Sequence, residues 1–147
     1  MGRLAGIARR EKKRAQMVTL ERAIISEQTG VADDFRGKPG NRQVALLSTR
    51  AWQATCAELG QEIPWTTRRA NLLIADLDLP TSVGQIIVIG VVRLRITMEV
   101  DPCSRMEEQA PGLIMALQPD WRGGVACTVL QGGEVAIGDP VSMVDAG

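Results

Sequence analysis

The stretch Val91 to Val100, VVRLRITMEV, alternates without a break: Val92, Leu94, Ile96, Met98 and Val100 fall on one face, and Arg93, Arg95, Thr97 and Glu99 on the other. Strict period-two alternation over that length marks a strand with one buried and one solvated face, because a helix returns to the same face every 3.6 residues. The preceding GQIIVIG is apolar throughout and bounded by glycines. It suits a fully buried strand, or a bent one in which Gly90 relaxes the backbone at a barrel corner. MVTLERAIISEQ and RQVALLS are rich in β-branched and aliphatic residues and read as further strands. VACTVLQGGEVAIGDPVSMV is expected to hold two short strands joined in a hairpin at Gly132 and Gly133, where a tight turn needs positive φ.

Helices are few. In STRAWQATCAELG, Ser48 or Thr49 serves as N-cap, Trp52, Cys56 and Leu59 share one face at i, i+4 and i+7, and Gly60 is the C-cap. SRMEEQAPGLIMALQ can form two short helical turns interrupted by Pro111, with Glu107 and Glu108 outward and Leu113, Ile114 and Leu117 inward. Many short strands with one or two small helices, and no regular alternation of the two, predict a mainly β chain closed or partly closed into a barrel rather than a doubly wound sheet.

A length of 147 residues is that of one domain, so residues 1–147 are expected to form one. With one Phe, three Trp and no Tyr, the core must be built from Val, Ile, Leu, Ala and Met. No apolar run approaches the roughly 20 residues needed to span a bilayer, and MGRLAGIARREKKR lacks the apolar centre of a secretory signal. The expectation is a cytoplasmic protein with no membrane partner. The three cysteines, Cys56, Cys103 and Cys127, have no paired spacing and suit free thiols in a reducing compartment.

Charge is balanced overall but not along the chain. Residues 1–50 carry eleven Lys/Arg against five Asp/Glu, and the remainder six against twelve. The densest cluster, RREKKR from Arg9 to Arg14, has no interleaved aromatic for base stacking, so a nucleic-acid partner is not expected. TGVADDFRGKPGNRQV is a Gly-rich charged loop in which Arg36, Lys38 and Arg42 can surround an anion, the plain alternative being a surface loop. WTTRRANLLI sets Arg68, Arg69 and Asn71 at the head of an apolar strand, which requires one of the two arginines to face inward or into a cleft. An inward arginine needs a partner, and a structural ion pair is as ordinary an answer as a ligand. DWRGG adds Arg122 under the same ambiguity.

With no histidine in the chain, covalent or metal chemistry has few carriers, and Cys103 is the first. Its neighbours Asp101, Pro102, Ser104, Arg105, Glu107 and Glu108 are polar and turn-forming. They predict a thiol in a loop or at a helix N-terminus, where the dipole favours the thiolate. The alternative is a small buried hydrophobe, the reading given to Cys56 and Cys127, which lie among apolar residues in regular elements.

TGVADDFRGKPGNRQVALLS, RRANLLI, GQIIVIG, DPC and RGGVACTVLQGGEVAIGDPV occur in an order and spacing that resembles the MOSC domain family, named for the C-terminal part of molybdenum cofactor sulfurase. The resemblance covers almost the whole chain and is closest in size to small stand-alone bacterial members. It departs from the family at Ala32 and Asp33, where a Gly-Asp pair is expected, and at Cys127, where a polar or basic residue is usual. The resemblance implies a barrel of the pyruvate-kinase-insertion type with Cys103 as the reactive residue and catalytic centre. It implies a molybdenum cofactor of the molybdopterin type, with Cys103 as metal ligand, and it carries the family's Arg-x-Asn motif for pterin and phosphate onto Arg69 and Asn71. The basic loop ending in Arg42, together with Arg122, completes the expected cofactor-binding set. Two function classes follow from the resemblance. One is a reductase of N-hydroxylated or similarly oxidised substrates, fed by an electron-donating reductase partner. The other is a sulfur carrier or cofactor-handling module in which Cys103 holds a persulfide from a donor of the cysteine desulfurase type. A third reading, from the residues alone, is a non-catalytic anion-binding module.

Overall fold

The computed structural model describes residues 1–13, 15–79, 83–100, 108 and 110–144. Its strands are β1 (Gly2–Arg9), β2 (Val18–Leu20), β3 (Arg22–Ser26), β4 (Gly30–Val31), β5 (Val44–Ser48), β6 (Leu72–Ala75), β7 (Ile86–Ile89), β8 (Val92–Glu99), β9 (Val125–Gln131), β10 (Gly133–Ala136) and β11 (Pro140–Val144). Helix α1 (Thr49–Leu59) follows β5, and the short α2 (Leu113–Leu117) precedes β9. Single 3₁₀ turns lie at Trp65–Arg68 and Pro119–Trp121. Among the described residues no helix is long and apolar enough to cross a membrane.

Among the described residues seven strands close a barrel in the order β11, β7, β8, β9, β5, β6, β1, with β1 pairing back onto β11 and β2 attached outside β1. The β5–β6 pairing is parallel and the other barrel pairings are antiparallel. Alternation works as the sequence predicts where it is strict: Val92, Leu94 and Ile96 of β8 are fully buried, and Arg95 is exposed. The pattern loosens past Ile96, where the register against β9 shifts, so Met98, expected inside, is only half-buried, as is Glu99. Leu4, Ile7, Leu46, Leu72, Ile74, Ile87 and Ile89 complete the interior from the other strands. A second cluster on the outside of the barrel joins Leu47 of β5 to Trp52, Leu113 and Leu117, so α1 and α2 cover the outer face of that strand.

Local signals place several elements. Ser48 accepts the Ala51 N–H as the N-cap of α1, and Gly60 closes it in the left-handed region, at φ 66°. Between Ile89 and Val92, which pair across the strands, Gly90 at φ 59° makes a two-residue hairpin, so GQIIVIG and VVRLRITMEV are two strands folded back on each other.

The hairpin expected at Gly132 and Gly133 is not formed. β9 pairs β8 and β5, whereas β10 leaves the barrel to pair β3 in a separate sheet of β10, β3 and β4. Gly132 has no positive φ. Its role is close approach, since a Cβ there would collide with the Ile25 carbonyl as the chain crosses to β3. A further difference is β1. Its register slips between Leu4 and Gly6, which hides the period-two signal, so the residues themselves show only a basic start.

Candidate functional site

The turn before β6 builds the centre of the site. Pro64 opens the 3₁₀ turn Trp65–Arg68, and Arg69 ends it in the left-handed region at φ 64°, its N–H bonded to the Thr66 carbonyl. A non-glycine residue is seldom held there, and this turn gives Arg68 and Arg69 different directions. Arg68 is the inward arginine: it is buried, donating from Nε to the Gly123 carbonyl at 3.0 Å and from Nη2 to the Val100 carbonyl at 2.7 Å. Arg69 donates from Nη1 to the Ala15 carbonyl at 2.8 Å. Asn71 is buried and links two strands, donating from Nδ2 to the Ala8 carbonyl at 3.2 Å and accepting the Ala45 N–H on Oδ1 at 3.0 Å.

Above this turn lies the loop between β4 and β5. Its root is Gln43, whose buried amide donates to the Glu27 and Gly37 carbonyls and accepts the Val129 N–H. Asp34 ties the loop to the end of β1: Oδ1 accepts the Arg10 N–H at 3.0 Å, and Oδ2 accepts the Arg36 N–H at 3.3 Å. Asp33 takes a left-handed φ of 67° and lies 3.7 Å from Arg9, which also donates to the Ala32 carbonyl.

These pieces enclose a cavity of about 190 Å³. Six cations line it, Arg10, Lys13, Arg36, Arg42, Arg68 and Arg69, with Asp34 the one carboxylate among the described residues; Asn71, Val100 and Gly123 form part of its wall. Among the described residues no carboxylate pairs with Lys13, Arg36, Arg42 or Arg69. Guanidinium groups gathered in a recess, with backbone carbonyls fixing two of them, can hold an anion through several charge-assisted bonds at once.

Of the residues singled out from sequence, Arg42, Arg69 and Asn71 share this cavity, together with Arg36. Lys38 lines an adjoining groove with Phe35 instead. Arg122, expected beside the cofactor, is placed elsewhere: its Nη1 pairs with Glu58 Oε1 at 2.6 Å and donates to the Ala116 carbonyl, joining α2 to α1. Glu58 lies on the C-terminal turn of α1, and sequence spacing does not reveal that contact. Cys103 lies outside the described residues. Cys127 is fully buried in the barrel, and burial pushes its thiol up, away from ionisation. Cys56 is half-buried and donates to the Ile63 carbonyl. Among the described residues no group of three His, Cys, Asp or Glu side chains can hold a metal. Sequence reasoning missed Arg10, Lys13 and Asp34 as cavity residues; the basic run from Arg9 to Arg14 is visible in the chain, but nothing local brings it to Arg69.

The family model described as the MOSC domain matches residues 28–142. The chain belongs to the MOSC domain family. This membership supports a role related to the molybdenum cofactor. Solved structures share the fold over nearly the whole chain. YuaD from Bacillus subtilis superposes with a TM-score of 0.83 at 16% identity, covering 99% of this chain and 97% of that one. YiiM from Geobacillus stearothermophilus gives 0.76 at 18% identity, over 99% and 76% of the two chains. YiiM from Escherichia coli gives 0.73 at 15% identity, over 97% and 70%. A search of curated proteins by sequence finds no match.

Proposed function

We propose that this MOSC protein holds a molybdenum cofactor of the molybdopterin type, with the cofactor's phosphate end in the cationic cavity and Cys103 as metal ligand. In this reading it reduces N-hydroxylated or similarly oxidised substrates. The supporting observation is the gathering of Arg36, Arg42, Arg68 and Arg69 around one recess where Asp34 is the one carboxylate among the described residues. The donor set fits a phosphate, since the guanidinium groups of Arg36 and Arg42 can offer a planar fork to a pair of phosphate oxygens. At about 190 Å³ the recess is smaller than a whole-ligand pocket, so it suits an anionic end group with the rest of the molecule extending outward. Val100 lines the wall, and Cys103 follows it by three residues in the chain.

Bound, the molybdenum centre would supply two-electron redox chemistry. The chain's own residues have simpler tasks. Arg42 and Arg69 bind the phosphate; Asn71 ties β1 to β5 at the wall of the recess; Arg68 holds Val100 and Gly123 against the recess. Cleaving an N–OH bond to N–H consumes two electrons and two protons and releases water, so an electron-donating reductase is the required partner.

Elemental analysis of protein purified from a host that makes the cofactor tests the reading. Molybdenum near one per chain, lost in Arg42→Ala and Cys103→Ala, is the expected result. Metal-free protein carrying a persulfide on Cys103 would replace it with the sulfur-carrier reading, fed by a cysteine desulfurase type of donor.

A further inference from the structure

We infer that Asp34 is a selectivity residue: it tunes the recess to a phosphate that still carries one O–H and turns away an equally charged anion that carries none. The inference rests on reading this recess as the site of an anionic end group.

Asp34 is half-buried and lines the recess, yet among the described residues its carboxylate makes no salt bridge. It is held by backbone instead, with Oδ1 accepting the Arg10 N–H and Oδ2 the Arg36 N–H. The loop that carries it has little room to move. Asp33 before it is held in the left-handed region, a Cβ on Gly37 would run into the Thr29 carbonyl, and Gln43 donates to the Gly37 carbonyl. The carboxylate therefore stays beside the anion site.

A fixed carboxylate opposes anion binding unless something offsets it. Its charge repels every anion, and it accepts hydrogen bonds without donating any. It has about four acceptor positions, and the Arg10 and Arg36 N–H groups leave the others open to a donor. An oxyanion brings a donor only where it keeps a proton. Hydrogen phosphate, or a phosphate monoester below its second pKa of about 6, has one O–H and gains a charge-assisted bond to Asp34. Sulfate has no O–H and meets only the repulsion. The arginines cannot make this distinction, because a guanidinium donates to an oxygen of either anion.

The test is calorimetric titration of the intact chain with inorganic phosphate and with sulfate, at matched ionic strength and slightly alkaline pH, where both are dianions. Phosphate should bind about tenfold tighter, the effect of one charge-assisted hydrogen bond. Monofluorophosphate, a dianion with fluorine in place of the O–H, should follow sulfate. Asp34→Asn removes both the repulsion and the charged acceptor. It should strengthen sulfate binding by about threefold or more and bring the two anions within about twofold of each other. Arg42→Ala should weaken both alike and leave their ratio unchanged. Equal affinity for phosphate and sulfate, or a preference that survives Asp34→Asn, overturns the inference. So does monofluorophosphate binding as tightly as phosphate, a result read on the parent protein whether or not Asp34→Asn folds. If neither phosphate nor sulfate binds, the anion-site reading falls and the inference with it. If protein from a cofactor-making host carries no molybdenum but keeps the phosphate preference, the cofactor reading alone fails.

Discussion

Arg68 Nη2 donates to the Val100 carbonyl at 2.7 Å, and Nε of the same buried side chain donates to the Gly123 carbonyl at 3.0 Å. One guanidinium thus joins the residue after β8 to the turn before β9 at the wall of the cationic recess. The contact depends on having no side chain at 123. A Cβ there would lie 2.5 Å from the Val100 carbonyl oxygen and 2.9 Å from Arg68 Nη2.

Gly123→Ala should therefore destabilise the fold by about 2 kcal/mol, because backbone as well as side chain must move. It should also weaken phosphate binding as Arg68 is displaced. Urea unfolding and phosphate titration check both; an unchanged midpoint would contradict the packing.

Asn71 and Arg42 line the same recess but should fail in different ways. Asn71→Ala orphans the Ala45 N–H and Ala8 carbonyl, so a loss of about 2 kcal/mol of stability should accompany any loss of binding. Arg42→Ala removes an exposed loop cation and should lower phosphate affinity about tenfold while shifting stability by less than about 0.5 kcal/mol. If Asn71→Ala melts like the parent protein, its bridge between β1 and β5 is not structural.

The thiols should separate by chemistry. Cys103→Ser is expected to fold normally yet abolish molybdenum retention or persulfide formation. Cys127→Ala should cost about 1 kcal/mol by leaving a small cavity and should spare both activities. Labelling of the folded protein at graded pH should modify Cys103 first and Cys127 last. A Cys103 slower than Cys127 would remove the basis for its role as ligand.

Stability should fall on the alkaline side because of Cys127. Burial raises its folded pKa, whereas the unfolded thiol ionises near about 8.5. Below that pH both states keep the proton and the contribution is intact. Above it the unfolded state releases the proton first, so stability drops by up to about 1.4 kcal/mol per pH unit. Urea unfolding between pH 8 and 10 should show a shallower decline in Cys127→Ala than in the parent protein. Equal slopes would mean the thiol is not held protonated in the core.

Much of the barrel is legible in the order of residues alone. The alternation of β8, the Ser48 and Gly60 caps of α1 and the apolar β7 each follow from interactions between residues close in the chain. β1 is not legible, because its register shift at Leu4 and Gly6 breaks the alternation that would reveal it. At the site, the family motif singles out Arg69 and Asn71, and the requirement that one of two adjacent arginines turn inward holds. Which one does so is settled by the left-handed turn at Arg69.

That this chain is built of strands, where helix α1 begins and ends, and that it belongs with MOSC domains are all written in the residue order, because periodicity, capping and ordered motifs are short-range properties. That β10 pairs with β3 rather than β9, that Arg122 answers Glu58, and that Arg10 and Lys13 meet Arg69 across more than fifty residues of chain emerge only once the chain is folded. Those outcomes depend on barrel closure and on which backbone groups are left to bond when the strands meet. A residue's near neighbours carry no record of that.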